Sequence, residues 1–185
     1  MRAVFFDRDN TLTCDDGYTY KVSDFAWIKG APQALARLHN AGIAVFIITN
    51  QGGIAKGLFT KGQMQEFHDH LIAQAALSGG KIHDIAYCPH HPDAPDETQK
   101  NCTCRKPSAE LFFTLADKWH IDLKQSVMIG DKPSDVQAGK AAGCHSYLFD
   151  PRNNLDGRDD LDGLVKMVIE THFTSGTSRQ DNSAS

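Results

Sequence analysis

The sequence predicts an α/β protein with a doubly wound parallel sheet, and three observations support this prediction. Short apolar runs recur along the chain, beginning with AVFF at residues 3–6. The stretches between these runs carry apolar residues at helical spacing, and polar side chains directly follow several of the runs. Near-continuous apolar strands that alternate with helices are typical of a parallel sheet whose two faces are both covered.

The pattern predicts strands at residues 3–6, 43–48, 82–87, 127–129 and 146–149, and helices at 32–40, 60–77, 107–120 and 133–142. Thr60 and Gln63 have the spacing of a capping box, and Gly143 is a stop signal for the fourth helix. The connection between residues 11 and 29 is too short for a cap domain. Residues 1–173 are expected to form a single domain. The acidic run 156–163 is interpreted as a solvated turn, and residues 174–185 as a disordered tail.

The composition is that of an ordinary globular protein, with 41% hydrophobic and 23% charged residues. A formal net charge of −4 gives no electrostatic support for binding nucleic acid or an anionic membrane. No apolar stretch approaches the ~20 residues of a membrane-spanning helix. A monomer is expected. The N-terminus lacks the layout of a signal peptide, so we expect a cytoplasmic location. The five cysteines are therefore interpreted as metal ligands or free thiols.

Polar side chains collect where the predicted strands end. Asp7 and Asp9 follow the first strand, Thr49 follows the second, and Asp131 follows the fourth. In open α/β sheets of the Rossmann-like type, ligands bind in the crevice beyond the carboxyl ends of the strands. Each residue alone has an ordinary explanation as a turn or helix-capping residue, and Lys106 alone as a solvated lysine. As a set on one rim, they indicate a single site.

These residue types suit Mg²⁺-dependent phosphoryl transfer. Asp7 and Asp9 repel each other unless a cation or a shared proton compensates. Asp7 and Asp131 offer the hard oxygen ligands that Mg²⁺ prefers. A carboxylate can attack phosphorus to form an aspartyl-phosphate intermediate. Lys106 and the Thr49 hydroxyl suit the equatorial phosphate oxygens, and Asp9 suits protonation of the leaving oxygen and later activation of water.

Four segments in chain order resemble the motifs of the haloacid-dehalogenase-like (HAD-like) phosphatases: DRDNT, TNQ, RKP and GDKPSD. The resemblance extends from about residue 2 to residue 150. It implies a role for each matched residue, namely Asp7 as nucleophile, Asp9 as general acid/base, Thr49 and Lys106 as phosphate-binding residues, and Asp131 as a metal ligand. It also implies that the backbone carbonyl of Asp9 joins Asp7 and Asp131 around Mg²⁺, with Asp135 as the second acidic residue of its motif.

A second metal site is indicated by cysteines and histidines after the third strand. Eleven residues separate CPH at 88–90 from CTC at 102–104. Cys88, His90, Cys102 and Cys104 form a set typical of closed, tetrahedral structural Zn²⁺ sites. The intervening segment is polar and cannot bury a core, so a metal is a plausible means of ordering it. Two alternatives stay open: His91 as the ligand instead of His90, and a buried Cys88 with incidental thiols nearby.

This loop, CPHH followed by CTCRKP, resembles that of the bacterial D-glycero-D-manno-heptose 1,7-bisphosphate 7-phosphatases, which are cap-less and take part in lipopolysaccharide biosynthesis. TNQGGIAKGLFT is similar to their substrate loop. The resemblance implies substrate binding by Asn50, Gln51, Lys56 and Arg105, the last two toward a distal phosphate or hydroxyls. In two places the chain departs from that family: Lys56 stands where arginine is usual, and SAE rather than PGM follows RKP.

The sequence leaves the substrate open. The GGIAKG loop favours the heptose bisphosphate, whereas the segment after RKP is closer to the histidinol-phosphate phosphatases, which share the zinc loop. Another phosphorylated sugar is a further alternative. A zinc-ordered binding module without catalysis would explain the cysteine loop but not DRDNT and GDKPSD.

Overall fold

A five-stranded parallel sheet forms the centre of the protein in the computed structural model, which describes residues 1–150 and 160–174. The strands are β1 (Ala3–Phe6), β2 (Ala44–Asn50), β3 (Asp84–Cys88), β4 (Val127–Gly130) and β5 (His145–Leu148). They lie in the order β3-β2-β1-β4-β5, and all neighbouring strands are parallel. The chain order reverses between β1 and β4, which confirms the predicted doubly wound topology.

Helices cover both faces of the sheet. They are α1 (Ala31–Asn40), α2 (Lys61–Leu77), α3 (Glu110–Trp119), α4 (Pro133–Ala142) and α5 (Leu161–His172). Successive side chains of a strand point to opposite faces. Accordingly, Val4 and Phe6 are buried with apolar residues of α1, α2 and α5, whereas Phe5 is buried with those of α3 and α4. The buried first strand therefore anchors the polar residues that follow it.

The structure shifts the start of the third helix by three residues and adds a fifth α-helix. α3 begins at Glu110 rather than at residue 107, because the Ser108 hydroxyl accepts the Glu110 N–H and the Ser108 N–H donates to the Arg105 carbonyl. The predicted solvated turn at 156–163 is wrong from Asp160 onward. The Asp160 carboxylate caps α5 by accepting the Gly163 N–H at 3.1 Å. Residues 156–159 of that turn, and residues 175–185 of the predicted tail, lie outside the described residues.

The connections beside the crevice are short, as predicted. Residues 7–30, between β1 and α1, contain a single 3-10 turn at Val22–Asp24 and isolated bridges. The segment after β2 consists of turns until the capping box of Thr60 and Gln63 starts α2. Within the described ranges, the crevice is therefore covered by loops rather than by a cap domain. Among the same residues, no helix is long and apolar enough to span a membrane.

Candidate active site

A cavity of about 400 Å³ opens at the carboxyl ends of the strands. It lies at the point where the strand order reverses between β1 and β4, which is where open α/β sheets bind ligands. The Asp7 N–H donates to the Ile129 carbonyl at 3.0 Å, so the first residue after β1 is tied to β4. The cavity is lined by residues from several connections, namely Asp7, Asp9, Asp15, Gly17, Tyr18, Asn50, Gln51, Gly52, His91, Arg105, Lys106, Lys132, Ser134 and Asp135.

Lys106 lies at the centre of the site and is almost fully buried. Its ammonium group contacts Asp7 Oδ1, Asp135 Oδ1 and the Ile48 carbonyl, each at 2.7 Å. An ammonium has three protons to donate, and these three acceptors match them. Burial acts to lower the pKa of Lys106, but the attraction of Asp7 and Asp135 outweighs it and raises the pKa overall. Lys106 therefore carries its charge inside the site.

Asn50, at the end of β2, fixes the position of the Lys106 backbone. Its side-chain oxygen accepts the Lys106 N–H at 3.0 Å, and its amide nitrogen donates to the Lys106 carbonyl at 3.2 Å. These two bonds attach the RKP segment to the carboxyl-terminal end of β2, beside Thr49, which is fully buried. The TNQ and RKP motifs, 56 residues apart in sequence, thus meet through the Asn50 side chain.

Both oxygens of the Asp9 carboxylate accept hydrogen bonds. Asp9 Oδ1 accepts from Arg8 Nε at 2.8 Å, and Oδ2 accepts from Gln51 Nε2 at 2.9 Å. The same Gln51 nitrogen donates to Thr49 Oγ1 at 2.8 Å. Burial raises the pKa of Asp9; Arg8 opposes this shift, while the nearby charge of Asp7 adds to it. A carboxyl group whose pKa is raised keeps its proton to higher pH than a free aspartate, which favours a role as proton donor.

The carboxylates of Asp7, Asp131 and Asp135 form a candidate magnesium site. One oxygen from each lies within 4.8 Å of the others. Asp131 Oδ1 is buried and has no hydrogen-bond partner. Burial, and then the charge of Asp7, raise the pKa of Asp131 to about 7. A buried carboxylate oxygen without a donor, beside a second carboxylate, fits a hard divalent cation. The structure brings Asp135 into this group, whereas the Asp9 carboxylate is engaged by Arg8 and Gln51.

The predicted zinc ligands also come together. Cys104 Sγ lies 2.9 Å from Cys88 Sγ and 3.4 Å from His90 Nδ1, and Cys88 Sγ lies 3.5 Å from Cys102 Sγ. The four ligand atoms lie within 4.8 Å of one another, which fits a single tetrahedral ion. His91 is not part of this group. Its Nδ1 accepts the Asp93 N–H at 3.0 Å, and its ring faces the cavity instead.

The two predicted cations of the rim occupy different positions. Arg105 lines the cavity, and its Nη1 donates to the His90 carbonyl at 3.0 Å. Lys56 lies outside the cavity lining, with its ammonium 5.4 Å from the centre of the Tyr18 ring and 3.9 Å from the Asp93 carboxylate. The structure therefore brings Arg105, but not Lys56, directly to the cavity.

Several residues of the site were not predicted from the sequence. Lys132 and Ser134 line the cavity, and their position inside GDKPSD is a signal that could have identified them. His91 was considered only as a zinc ligand. Tyr18 has a left-handed backbone with φ of 62°, and no pattern in the sequence marks it.

The fold and the site together define a HAD-like hydrolase. The family described as "HAD-hyrolase-like" matches residues 103–151. A crystal structure of a putative HAD-like phosphatase from Mesorhizobium loti is 28% identical, with a TM-score of 0.76, and covers 80% of this chain and 72% of that one.

Similar proteins with assigned names indicate which family of HAD-like hydrolases the chain belongs to. The chain is 35% identical over 168 residues to the D-glycero-beta-D-manno-heptose-1,7-bisphosphate 7-phosphatase of Rhodopseudomonas palustris, covering 90% of this chain and 89% of that protein. It is 41% identical over 149 residues to the protein of the same name from Haemophilus ducreyi, covering 80% and 82%. The D,D-heptose 1,7-bisphosphate phosphatase from B. bronchiseptica, solved with magnesium and phosphate, is 30% identical with a TM-score of 0.79, covering 92% and 99%. The chain belongs to this family of HAD-like phosphatases, which decides against a binding module without catalysis.

Proposed function

We propose that the protein removes the 7-phosphate of D-glycero-D-manno-heptose 1,7-bisphosphate, and that residues 1–173 act as one phosphatase domain. The main support for this reaction type is the position of the Asp7 carboxylate. Lys106 contacts it at 2.7 Å, and it lies beside the Asp131 oxygen that has no hydrogen-bond partner. The names of the relatives support the choice of substrate. Comparing kcat/KM on the bisphosphate and on histidinol phosphate tests that choice, and a preference for histidinol phosphate would contradict it.

In the proposed reaction, Asp7 attacks phosphorus and the bond from phosphorus to the C7 oxygen breaks. Asp9 gives its proton to the leaving oxygen. Asp9 then takes a proton from water, and the hydroxide so formed attacks the aspartyl-phosphate, which releases phosphate and restores Asp7. Lys106 and Thr49 hold the phosphate oxygens. Mg²⁺, held by Asp7, Asp131 and the Asp9 backbone carbonyl, would supply positive charge to those oxygens. Asp135 lies in the same group of carboxylates but is assigned to Lys106, which it contacts at 2.7 Å.

We assign Zn²⁺ a structural role on Cys88, His90, Cys102 and Cys104. Arg105 directly follows the last of these ligands and donates to the backbone of His90. An ion bound there would tie the RKP segment to β3, because Cys88 is the last residue of that strand. The zinc clip would thus help to place both Arg105 and Lys106.

Cys104→Ser is expected to lower bound zinc from about one ion per chain to well below that, and to reduce the unfolding midpoint temperature, because binding energy at a structural zinc site is folding energy. Metal analysis of protein purified without chelator, and thermal unfolding, measure the two effects. Cys14→Ser changes a half-buried thiol outside the cluster and is the control. Zinc loss with unchanged stability and activity would show that the ion has no structural role.

The cations near the cavity are proposed to select the substrate. The bisphosphate has a second phosphate, so its site needs positive charge away from Asp7, and Arg105 on the cavity wall meets that need. Lys56 lies farther out, beside Tyr18 and Asp93. Asn50 and Gln51 line the same cavity, and the hydrogen-bonding capacity left by their contacts with Lys106, Asp9 and Thr49 would serve the sugar. Histidinol phosphate carries an ammonium group, which these cations should repel.

Arg105→Ala is expected to lower kcat/KM for the bisphosphate ~10–100-fold, the range for losing a hydrogen bond to a charged group. Lys56→Ala should have a smaller effect of the same kind. A monophosphate such as p-nitrophenyl phosphate should be affected less by either change. Lys100→Ala is the control, since Lys100 pairs with exposed Glu97 in the same loop. Equal losses on both substrates would mean that these cations serve the transferred phosphate rather than the distal one.

A further inference from the structure

Arg8 lies between the two aspartates that follow β1. Only 1% of its surface is exposed, and it is among the largest fully buried side chains. Its guanidinium makes a separate contact from each nitrogen. Nε donates to Asp9 Oδ1 at 2.8 Å, Nη2 donates to the Thr19 carbonyl at 2.9 Å, and Nη1 lies 3.2 Å from His68 Nε2. The ring of Phe67 lies 4.8 Å from the guanidinium carbon. Such a buried cation is costly unless its donors are satisfied, and here each nitrogen has an acceptor.

His68 is the contact that the reaction scheme leaves unexplained. It lies on α2, 60 residues from Arg8, and is exposed to only 2%. Because arginine can only donate hydrogen bonds, His68 Nε2 must accept, which requires a neutral ring with its proton on Nδ1. Burial, and then repulsion by Arg8, lower the pKa of His68 to about 3, so the ring is neutral at working pH. A chain of hydrogen bonds therefore runs from Asp9 through Arg8 to α2.

Neither Arg8 nor His68 lines the cavity, so neither can touch a substrate bound there. Arg8 acts on the cavity through Asp9 and, by its bond to the Thr19 carbonyl, through the loop that carries Tyr18; His68 acts through Arg8. A general acid must stay within hydrogen-bond reach of the oxygen that it protonates, and displacements of about half an ångström are enough to matter. Arg8 holds Asp9 Oδ1 and leaves Oδ2 beside Gln51 on the cavity side.

We propose that Arg8 is a positioning residue for Asp9, and that His68 holds the Arg8 guanidinium in the orientation this requires. The proposal rests on the proposed function, in which Asp9 is the general acid/base. Removing the His68 acceptor lets the guanidinium shift and releases the Asp9 carboxylate from its orientation. The acid step then weakens, while attack by Asp7 does not.

The test compares His68→Leu with wild type on two substrates, β-glycerophosphate and p-nitrophenyl phosphate. An alkyl phosphate needs its leaving oxygen protonated, whereas nitrophenolate leaves unaided, and kcat/KM reports the steps up to phosphate transfer onto Asp7. His68→Leu should lower kcat/KM ~10-fold for β-glycerophosphate but less than about twofold for p-nitrophenyl phosphate, as part of the contribution of a general acid is lost. Asp9→Asn gives the full size of the same selective effect.

Three further variants complete the test. His68→Gln keeps an acceptor facing Arg8 and should restore most of the activity on β-glycerophosphate. Arg8→Lys keeps the charge but lacks the planar fork, and should show the selective loss. His70→Leu makes the matched change two residues along α2, where the ring contacts Phe25 rather than Arg8, and should change neither rate.

Equal losses on both substrates would show that His68 only stabilises the fold, and would overturn the proposal, as would unchanged rates. Failure of the proposed function has a different signature. If wild type hydrolyses β-glycerophosphate but not the heptose bisphosphate, the substrate assignment fails while the comparison of leaving groups still decides the role of Arg8. If wild type hydrolyses no phosphomonoester, both proposals fail.

Discussion

Asp7→Asn is expected to abolish turnover while leaving the fold intact. An amide oxygen does not attack phosphorus, so no aspartyl-phosphate forms, and kcat should fall by at least ~10⁴-fold, as for loss of other catalytic nucleophiles. Lys106 keeps Asp135 and the Ile48 carbonyl as acceptors, so its ammonium is not left alone in the interior. Steady-state hydrolysis, together with circular dichroism to confirm folding, provides the measurement.

The matched control for this variant is Asp162→Asn. Asp162 also pairs with a cation, Arg37, at 2.7 Å, but on the surface and away from the crevice. It should keep wild-type kcat. An Asp7→Asn protein with near-normal activity would end the proposed mechanism, because no other residue has been assigned as the nucleophile.

Lys106→Met should have the largest effect on stability. It leaves the carboxylates of Asp7 and Asp135 buried without their shared cation, at 5% and 1% exposure. Removing one partner of a buried ion pair costs about 3–5 kcal/mol in the free energy of unfolding. Activity should also fall, since the phosphate loses a cationic contact. Denaturant unfolding with and without Mg²⁺ measures the effect, and we expect Mg²⁺ to restore part of the stability by supplying positive charge to the same carboxylates.

Lys118→Met is the control for the loss of an ammonium group. Lys118 pairs with Asp84 at the same 2.7 Å, but its side chain is 61% exposed. Surface pairs of this kind contribute about 0–1 kcal/mol, so this variant should be close to wild type in stability and should gain no more stability from Mg²⁺ than wild type does. Equal destabilisation by the two substitutions would show that burial does not decide the contribution of Lys106.

The topology could be predicted because β1, β2 and β4 are buried apolar runs and because α1 and α3 have apolar residues at helical spacing. The helices α2 and α4 were recognised instead from their ends, by the Thr60 capping box and by Gly143. α5 was missed because an acidic run, with Gly163 inside it, precedes its apolar residues. The structure shows that this run ends in a cap, since Asp160 satisfies the first turn of the helix. Propensity alone does not distinguish a capping aspartate from one in a solvated turn.

The main site residues could be located because parallel strands bring their carboxyl ends to one edge. Contacts between distant side chains could not be predicted. The bond between Arg8 and His68 joins a strand end to the middle of a helix, and no periodic pattern encodes it. The choice between His90 and His91 likewise depends on backbone direction, which places one ring among the cysteines and the other in the cavity.

Within the described residues no cap domain covers the crevice, so phosphate transfer and substrate selection depend on different parts of its wall. The attacking Asp7 directly follows a buried strand, and its partner Lys106 is hydrogen-bonded to Asn50 and Ile48 at the end of another. In contrast, Tyr18, His91 and Arg105, which would face the departing sugar, lie in loops without such bonds to the strands. Exchange of a loop residue can alter which alcohol is accepted without disturbing the core that sets the rate of phosphate transfer. Proteins that share this scaffold can therefore change their substrate specificity while keeping the same reaction chemistry. Such a change does not require a new hinge between a core and a cap domain.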